Sequence, residues 1–138
     1  MPVFFDTNIL LYAVSNVAAE AEKRDCAVAL LGRRDGVLSV QVLQEFFVQA
    51  TRPSKANRLT EDQAVRAIET WTRFTVQDNT LAILRAALMI KAAHRFSYWD
   101  SAIIAAARAA NCTELYTEDL SHGQLVDGLR IINPFQSA

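Results

Sequence analysis

The chain opens on a three-residue apolar run, Val3-Phe4-Phe5, that ends on a carboxylate, Asp6, and passes without a spacer into Thr7-Asn8 and the helix-like run Ile9-Leu10-Leu11-Tyr12. A run this short and this apolar reads as a fully buried strand. A carboxylate at the carboxyl end of such a strand, with a helix directly after it, stands where open α/β sheets place their ligands. The remaining sequence repeats the alternation. Val37-Leu38-Ser39-Val40, Phe74-Thr75-Val76, Leu115-Tyr116-Thr117 and Leu129-Arg130-Ile131-Ile132 read as further strands. Helical stretches fall over 8–15, 18–31, 41–51, 60–73, 79–93 and 97–110. This order predicts an α/β layered fold with short strands and a mostly parallel sheet.

Local chemistry marks the boundaries. Gly32 is placed to end the second helix, and Pro53 forbids the third from continuing. Thr60-Glu61-Asp62-Gln63 matches a capping box, Asp78 is a favoured N-cap, and Ser97 opens the last helix, which Asn111 closes. No repeat, low-complexity tract or linker interrupts the 138 residues, so one domain is expected over 1–138. A composition of 51% hydrophobic and 21% charged residues is globular rather than disordered. No apolar run approaches the roughly 18 residues of a membrane span, so no membrane association is expected. Met1-Pro2 leads straight into a strand, and a cytoplasmic protein without a secretory signal is expected. Cys26 and Cys112 show no metal or redox spacing and are expected to be buried thiols. A formal net charge of -1 neither demands nor excludes a nucleic-acid partner, because acids in a cleft and cations on its rim can cancel.

Three further acids, Glu45, Asp100 and Asp119, fall at transitions comparable to that of Asp6. Each has an ordinary reading beside a functional one. Asp6 reads equally as an N-cap and as a ligand, and the two roles can coexist. Glu45 reads as a solvated helix residue, but Val42, Phe46 and Gln49 lie one turn away on nearly its own face and put it at the core border. Asp100 completes a capping-box look-alike with Ser97, yet it begins an almost wholly apolar, central helix. Asp119 reads as a turn acid, with Glu118 beside it as the alternative and Thr117 available to orient either. Oxygen ligands gathered at one point suit Mg²⁺ or Mn²⁺. Carboxylates crowded together repel and hold protons unless a cation joins them.

These residues together resemble the PIN domain, and within it the VapC-type toxins of bacterial toxin–antitoxin pairs. The resemblance runs through Phe5-Asp6-Thr7-Asn8, Glu45, the block Ser97-Tyr98-Trp99-Asp100-Ser101-Ala102-Ile103-Ile104, and Leu115 to Leu120, and ends at Ile132-Asn133-Pro134-Phe135. It implies an α/β/α sandwich and Mg²⁺- or Mn²⁺-dependent endoribonuclease activity. It implies Asp6, Glu45, Asp100 and Asp119 as the catalytic, metal-holding quartet, with Thr7, Asn8 and Thr117 in support and Glu118 as the rival to Asp119. It also implies an RNA substrate, a homodimer and a small antitoxin partner. The loop cations Arg52, Lys55 and Arg58 are candidate RNA contacts, with solubility as the plainer role. His94 and His122 read as surface and loop histidines rather than as catalytic groups. A structure-specific DNA nuclease and a non-catalytic binding module presenting Val42, Phe46, Trp71 and Phe74 are the competing readings. A receiver-like phosphoacceptor is disfavoured, because no lysine follows Lys91.

Overall fold

The computed structural model describes residues 2–136. Strand β1 (Val3–Phe5) leads into α1 (Thr7–Ala13), a 3-10 turn (Ala18–Glu20) and α2 (Ala21–Leu30). Then follow β2 (Gly36–Ser39), α3 (Val40–Ala50), α4 (Glu61–Trp71), β3 (Thr75–Gln77), α5 (Leu81–His94) and α6 (Tyr98–Ala109). The chain ends with β4 (Glu114–Tyr116), β5 (Leu125–Val126) and β6 (Leu129–Ile132). The strands form one sheet in the order β3-β2-β1-β4-β6-β5, with helices on both faces. All pairings are parallel except β5 against β6. The expected α/β/α layering with a mostly parallel sheet is therefore what the chain adopts.

The central strands β1 and β2 are wholly buried, while β3, β5 and β6 each keep an exposed residue. Val3, Phe4 and Phe5 are each at most 1% exposed, so β1 lies at the centre. Gly36 is required where β2 begins: a Cβ there would stand 2.6 Å from the Phe5 ring and 2.8 Å from that of Phe74. On α6 the small side chains Ala102, Ala105, Ala106 and Ala107 are buried together with Ile103 and Ile104. Those small residues let the helix lie close against the sheet, and every residue from Ser101 to Ala107 is buried. Val42, Phe46, Trp71 and Phe74 belong to the core, and the Phe46 and Trp71 rings meet edge to face at 4.8 Å. They are not available as the surface of a binding module.

Helix ends follow the expected chemistry with instructive exceptions. Thr60 and Gln63 form both bonds of a capping box. Asn111 takes the left-handed conformation (φ 59°), while its N–H bonds to Arg108 and that of Cys112 to Ala107. That pair of bonds is a Schellman ending for α6. Thr80, not Asp78, caps α5, its Oγ1 accepting from the Ile83 N–H at 3.1 Å. The stretch 18–31 divides into a 3-10 turn and α2 rather than one helix. The two-residue β5 is a strand the sequence did not announce; it turns into β6 through Asp127 (φ 49°) and Gly128 (φ 90°), both left-handed. Cys112 is buried, with its thiol pushed up to about 12 by burial, whereas Cys26 is only half-buried. No helix among the described residues is long and apolar enough to cross a membrane.

Candidate functional site

The strand order reverses direction at β1. The first half of the chain builds outward from β1 to β2 and β3, and the second half returns to the other side with β4, β6 and β5. Connections leaving β1 and β4 therefore diverge, and a crevice opens between the carboxyl ends of these neighbouring strands. Asp6 is the first residue after β1, and Thr117, Glu118 and Asp119 follow β4. The Asp6 N–H donates to the Tyr116 carbonyl at 3.0 Å, which carries the pairing one residue past β1.

Asp6 is only 6% exposed, and both its oxygens are held. Oδ1 accepts from the Thr7 N–H at 2.7 Å, so the cap role is real. Oδ2 accepts from the Thr117 hydroxyl at 2.8 Å. That hydroxyl also accepts from Asn8 Nδ2 and from the Asp119 N–H, each at 3.1 Å. One donated and two accepted bonds exhaust a threonine hydroxyl and fix its rotamer. Asn8 Nδ2 also lies 3.2 Å from Asp119 Oδ2, so Asn8 and Thr117 hold Asp6 and Asp119 in register across the crevice. Thr7 Oγ1 is buried without a hydrogen-bond partner beside Asp6.

The other two acids arrive from helices. Glu45 lies half-buried on α3, where Gln41 Nε2 donates to its Oε1 at 2.7 Å. The same amide reaches the Trp99 carbonyl at 3.4 Å, tying α3 to the first turn of α6. Asp100 sits in that turn, its N–H on Ser97 Oγ at 3.1 Å. Burial pushes the Asp6 carboxyl up to about 7, against the hydrogen bonds from Thr117 and Thr7, with the charges of Asp119 and Glu45 adding to the rise. Burial also raises Asp100; Ser97 opposes this and the charge of Asp119 adds to it. Asp6 thus feels the charges of Asp119 and Glu45, and Asp100 that of Asp119.

Glu118 is turned elsewhere. Its Oε1 accepts from the Tyr12 hydroxyl at 2.6 Å and its Oε2 lies 3.1 Å from Lys23 Nζ. Among the described residues, none of Asp6, Glu45, Asp100 and Asp119 is in a salt bridge. The donor set is all oxygen, the kind of donor a hard divalent cation takes. Among the described residues no three Asp, Glu, His or Cys groups close to metal-ligand spacing.

The loop cations do not act as a group. Arg52 lines a recess beside Glu45 and Trp99, Lys55 faces the side of Leu11 and Val14, and Arg58 donates back to the Pro53 carbonyl at 3.2 Å. His94 stacks on Phe96, and His122 Nδ1 accepts from the Asn133 N–H at 3.0 Å; neither is bonded to an acid of the crevice. Sequence reasoning missed Gln41, whose spacing of four residues from Glu45 on a helix was the available signal. It also missed Tyr12 and Lys23, for which there was none.

The PIN domain model matches residues 3–125. No curated protein sequence matches the chain. Among solved structures, a toxin–antitoxin complex from Klebsiella pneumoniae is 20% identical, with 98% of this chain and 99% of that chain covered and a TM-score of 0.74. VapC20 of Mycobacterium tuberculosis, a sarcin–ricin loop-cleaving toxin, is 19% identical over 85% of this chain and 91% of its own, with a TM-score of 0.66. FitAcB from Neisseria gonorrhoeae is 16% identical over 98% and 99%, with a TM-score of 0.64. These likenesses show a shared fold, and the match over most of its length shows that the chain belongs to the PIN domain family.

Proposed function

We propose that the chain is a Mg²⁺- or Mn²⁺-dependent endoribonuclease and the toxin of a toxin–antitoxin pair, acting in the cytoplasm. The observation that carries this reading is the buried, two-point-held Asp6, whose carboxyl is raised by burial and by neighbouring acids at the β1–β4 crevice. Family membership supports it, as does the fold shared with a toxin that cleaves the sarcin–ricin loop.

Asp6, Glu45, Asp100 and Asp119 would hold the cation. Bound there, it supplies Lewis acidity toward water and neutralises charge at the phosphate. The chain's own residues supply position. Thr117 and Asn8 fix Asp6 against Asp119, and Gln41 fixes Glu45. Hydrolysis adds one water across a P–O ester bond and leaves a hydroxyl end and a phosphate end, so no side chain need become esterified. The Thr117 hydroxyl, already donating to Asp6, is a positioning group rather than a nucleophile. Asp119 is the acid that faces this set, and Glu118 supports the fold through Tyr12 and Lys23. Single-stranded loops are the usual targets of sequence-specific RNA recognition, so a folded RNA with an exposed loop is the proposed substrate.

Leu81, Leu84 and Leu88 stand exposed at helical spacing along α5. A stripe of this kind supports protein partners, here a second copy and a cognate antitoxin. The test is cleavage of matched RNA and DNA oligonucleotides with Mg²⁺ or Mn²⁺ by wild type and Asp6→Asn. RNA cleavage lost in a folded Asp6→Asn protein is the expected result; equal cleavage by the variant, or cleavage of DNA alone, contradicts it. Expression without a partner should arrest growth of the host, and Asp100→Ala should relieve the arrest.

A further inference from the structure

Trp99 is out of place as a structural residue. It precedes Asp100 in the first turn of a helix that is buried from Ser101 to Ala107, yet it is 65% exposed. Tyr98 props it edge to face, ring centroids 5.1 Å apart at 78°, so the indole stands as a ridge. On one side lies a recess of about 390 Å³ lined by Gln44, Glu45, Val48, Gln49, Arg52 and the indole, among others. On the other lies a second recess of about 320 Å³ that includes Gln44, Asn79 and Tyr98. The first shares Glu45 with the acid crevice, so a chain lying across the acids continues into it. No hydrogen bond engages the side chains of Gln44, Gln49 or Arg52 among the described residues.

We infer that the Trp99 recess is a nucleobase subsite, in which a base next to the scissile phosphate stacks on the indole while Gln44 and Gln49 meet its edge and Arg52 meets the adjoining phosphate. This rests on the ribonuclease reading and deepens it. The chemistry of the wall selects the occupant. A base presents a flat π-face, donors and acceptors along its edge, and an anion one sugar away. The wall offers an indole face, two amides that each donate and accept, and a guanidinium. Stacking on aromatic side chains is the usual way single-stranded RNA is held. A second copy of this chain is the competing occupant, since the adjoining recess that shares Gln44 and Val48 is lined by Val40, Leu43, Phe47 and Ile68; the amides and guanidinium on the Trp99 side are what favour a base there.

The experiment uses the wild-type protein in EDTA, where it binds without cutting. Indole fluorescence is titrated with single-stranded hexaribonucleotides and with the same hexamers carrying one abasic ribose at successive positions. Trp71, 6% exposed in the core, gives a constant background. Quenching is expected with base-bearing RNA, with affinity falling about five- to a hundred-fold when the abasic ribose occupies the stacked position. Trp99→Ala should abolish the quenching and raise KM about tenfold while lowering kcat less than about threefold, and Trp99→Phe should restore KM. Gln44→Ala with Gln49→Ala should change which base is preferred. Equal affinity for intact and abasic RNA, or an unchanged KM in Trp99→Ala, overturns the subsite and leaves the ribonuclease reading standing. A Trp99→Ala protein that passes from dimer to monomer in sedimentation, with no quenching by RNA in the wild type, also overturns it. Failure of the ribonuclease reading shows separately, as a wild type that does not cut RNA with Mg²⁺ or Mn²⁺.

Discussion

Two acids adjacent in the chain, Glu118 and Asp119, live in opposite surroundings. Glu118 is answered from within the protein: Lys23 and Tyr12 take its two oxygens, and Lys23 also lies over the Tyr12 ring, 4.8 Å from its centroid. Asp119 is answered by no cationic side chain among the described residues. It faces Asn8, Thr117 and the charges of Asp6 and Asp100. One cluster is complete as folded and braces α1 and α2 against the loop after β4. The other carries an unbalanced negative charge that the chain holds in place with hydroxyl and amide groups. Unbalanced charge kept in position at a crevice marks a group whose partner comes from outside.

The largest expected effect breaks the open cluster at its centre. Asp6→Asn keeps the size and the cap but removes the buried charge, and should slow divalent-dependent RNA cleavage by about a thousandfold or more, a barrier rise of about 4 kcal/mol. Cleavage of a labelled RNA, with circular dichroism to confirm folding, checks it.

Next in size is a pH effect in EDTA. The Asp6 carboxyl is raised from 3.8 to about 7, so the folded state holds a proton that the unfolded state releases. The stability this gives is present below the unfolded pKa and is lost as pH climbs through the folded one. Over the window from about 4 to 7 the wild type should lose at most about 4 kcal/mol relative to Asp6→Asn, with Asp100 shifting the same way in both proteins. Urea unfolding of the two proteins at pH 5 and pH 8 measures the difference, and a variant with the same pH dependence as wild type would falsify the burial of that charge.

Thr117→Val is smaller. It leaves Asn8 Nδ2 with Asp119 alone, unpairs the Asp119 N–H and frees Asp6 Oδ2, and should cost about 1–3 kcal/mol of stability and about tenfold or more in cleavage. The smallest effect belongs to the closed cluster. Lys23→Met leaves Glu118 on Tyr12 alone and should cost about 1 kcal/mol or less, since the lysine is part-exposed, and change cleavage less than about threefold. A large loss of cleavage there would merge the two clusters into one site.

Asp6, Asp100 and Asp119 drew notice in the sequence because each stands just past a strand or helix boundary, that of Asp100 announced by Ser97, whereas Glu45, in the middle of α3, drew notice through Val42, Phe46 and Gln49 beside it. What held them was not legible there. Glu118 and Asp119 lie in a bend after β4, where no strand period says which side chain turns inward. Which of Glu118 and Asp119 faces the crevice depends on Tyr12 and Lys23, separated from Glu118 by 106 and 95 positions. Asp78 and Thr80 are both good caps by residue type, and the chain uses Thr80, whose Oγ1 accepts from the Ile83 N–H. The strand β5 has two residues, too few for any period to show. The exposure of Trp99 was equally hidden, since an indole beside a buried helix has the same hydrophobicity whether it points in or out.

Calorimetric titration of Mn²⁺ into the wild type and into the fourfold variant Asp6→Asn, Glu45→Gln, Asp100→Asn, Asp119→Asn tests most directly whether the open cluster takes a cation. Saturable binding in the wild type that vanishes in the folded variant is the expected result. No binding in the wild type, or the same binding in the variant, contradicts it.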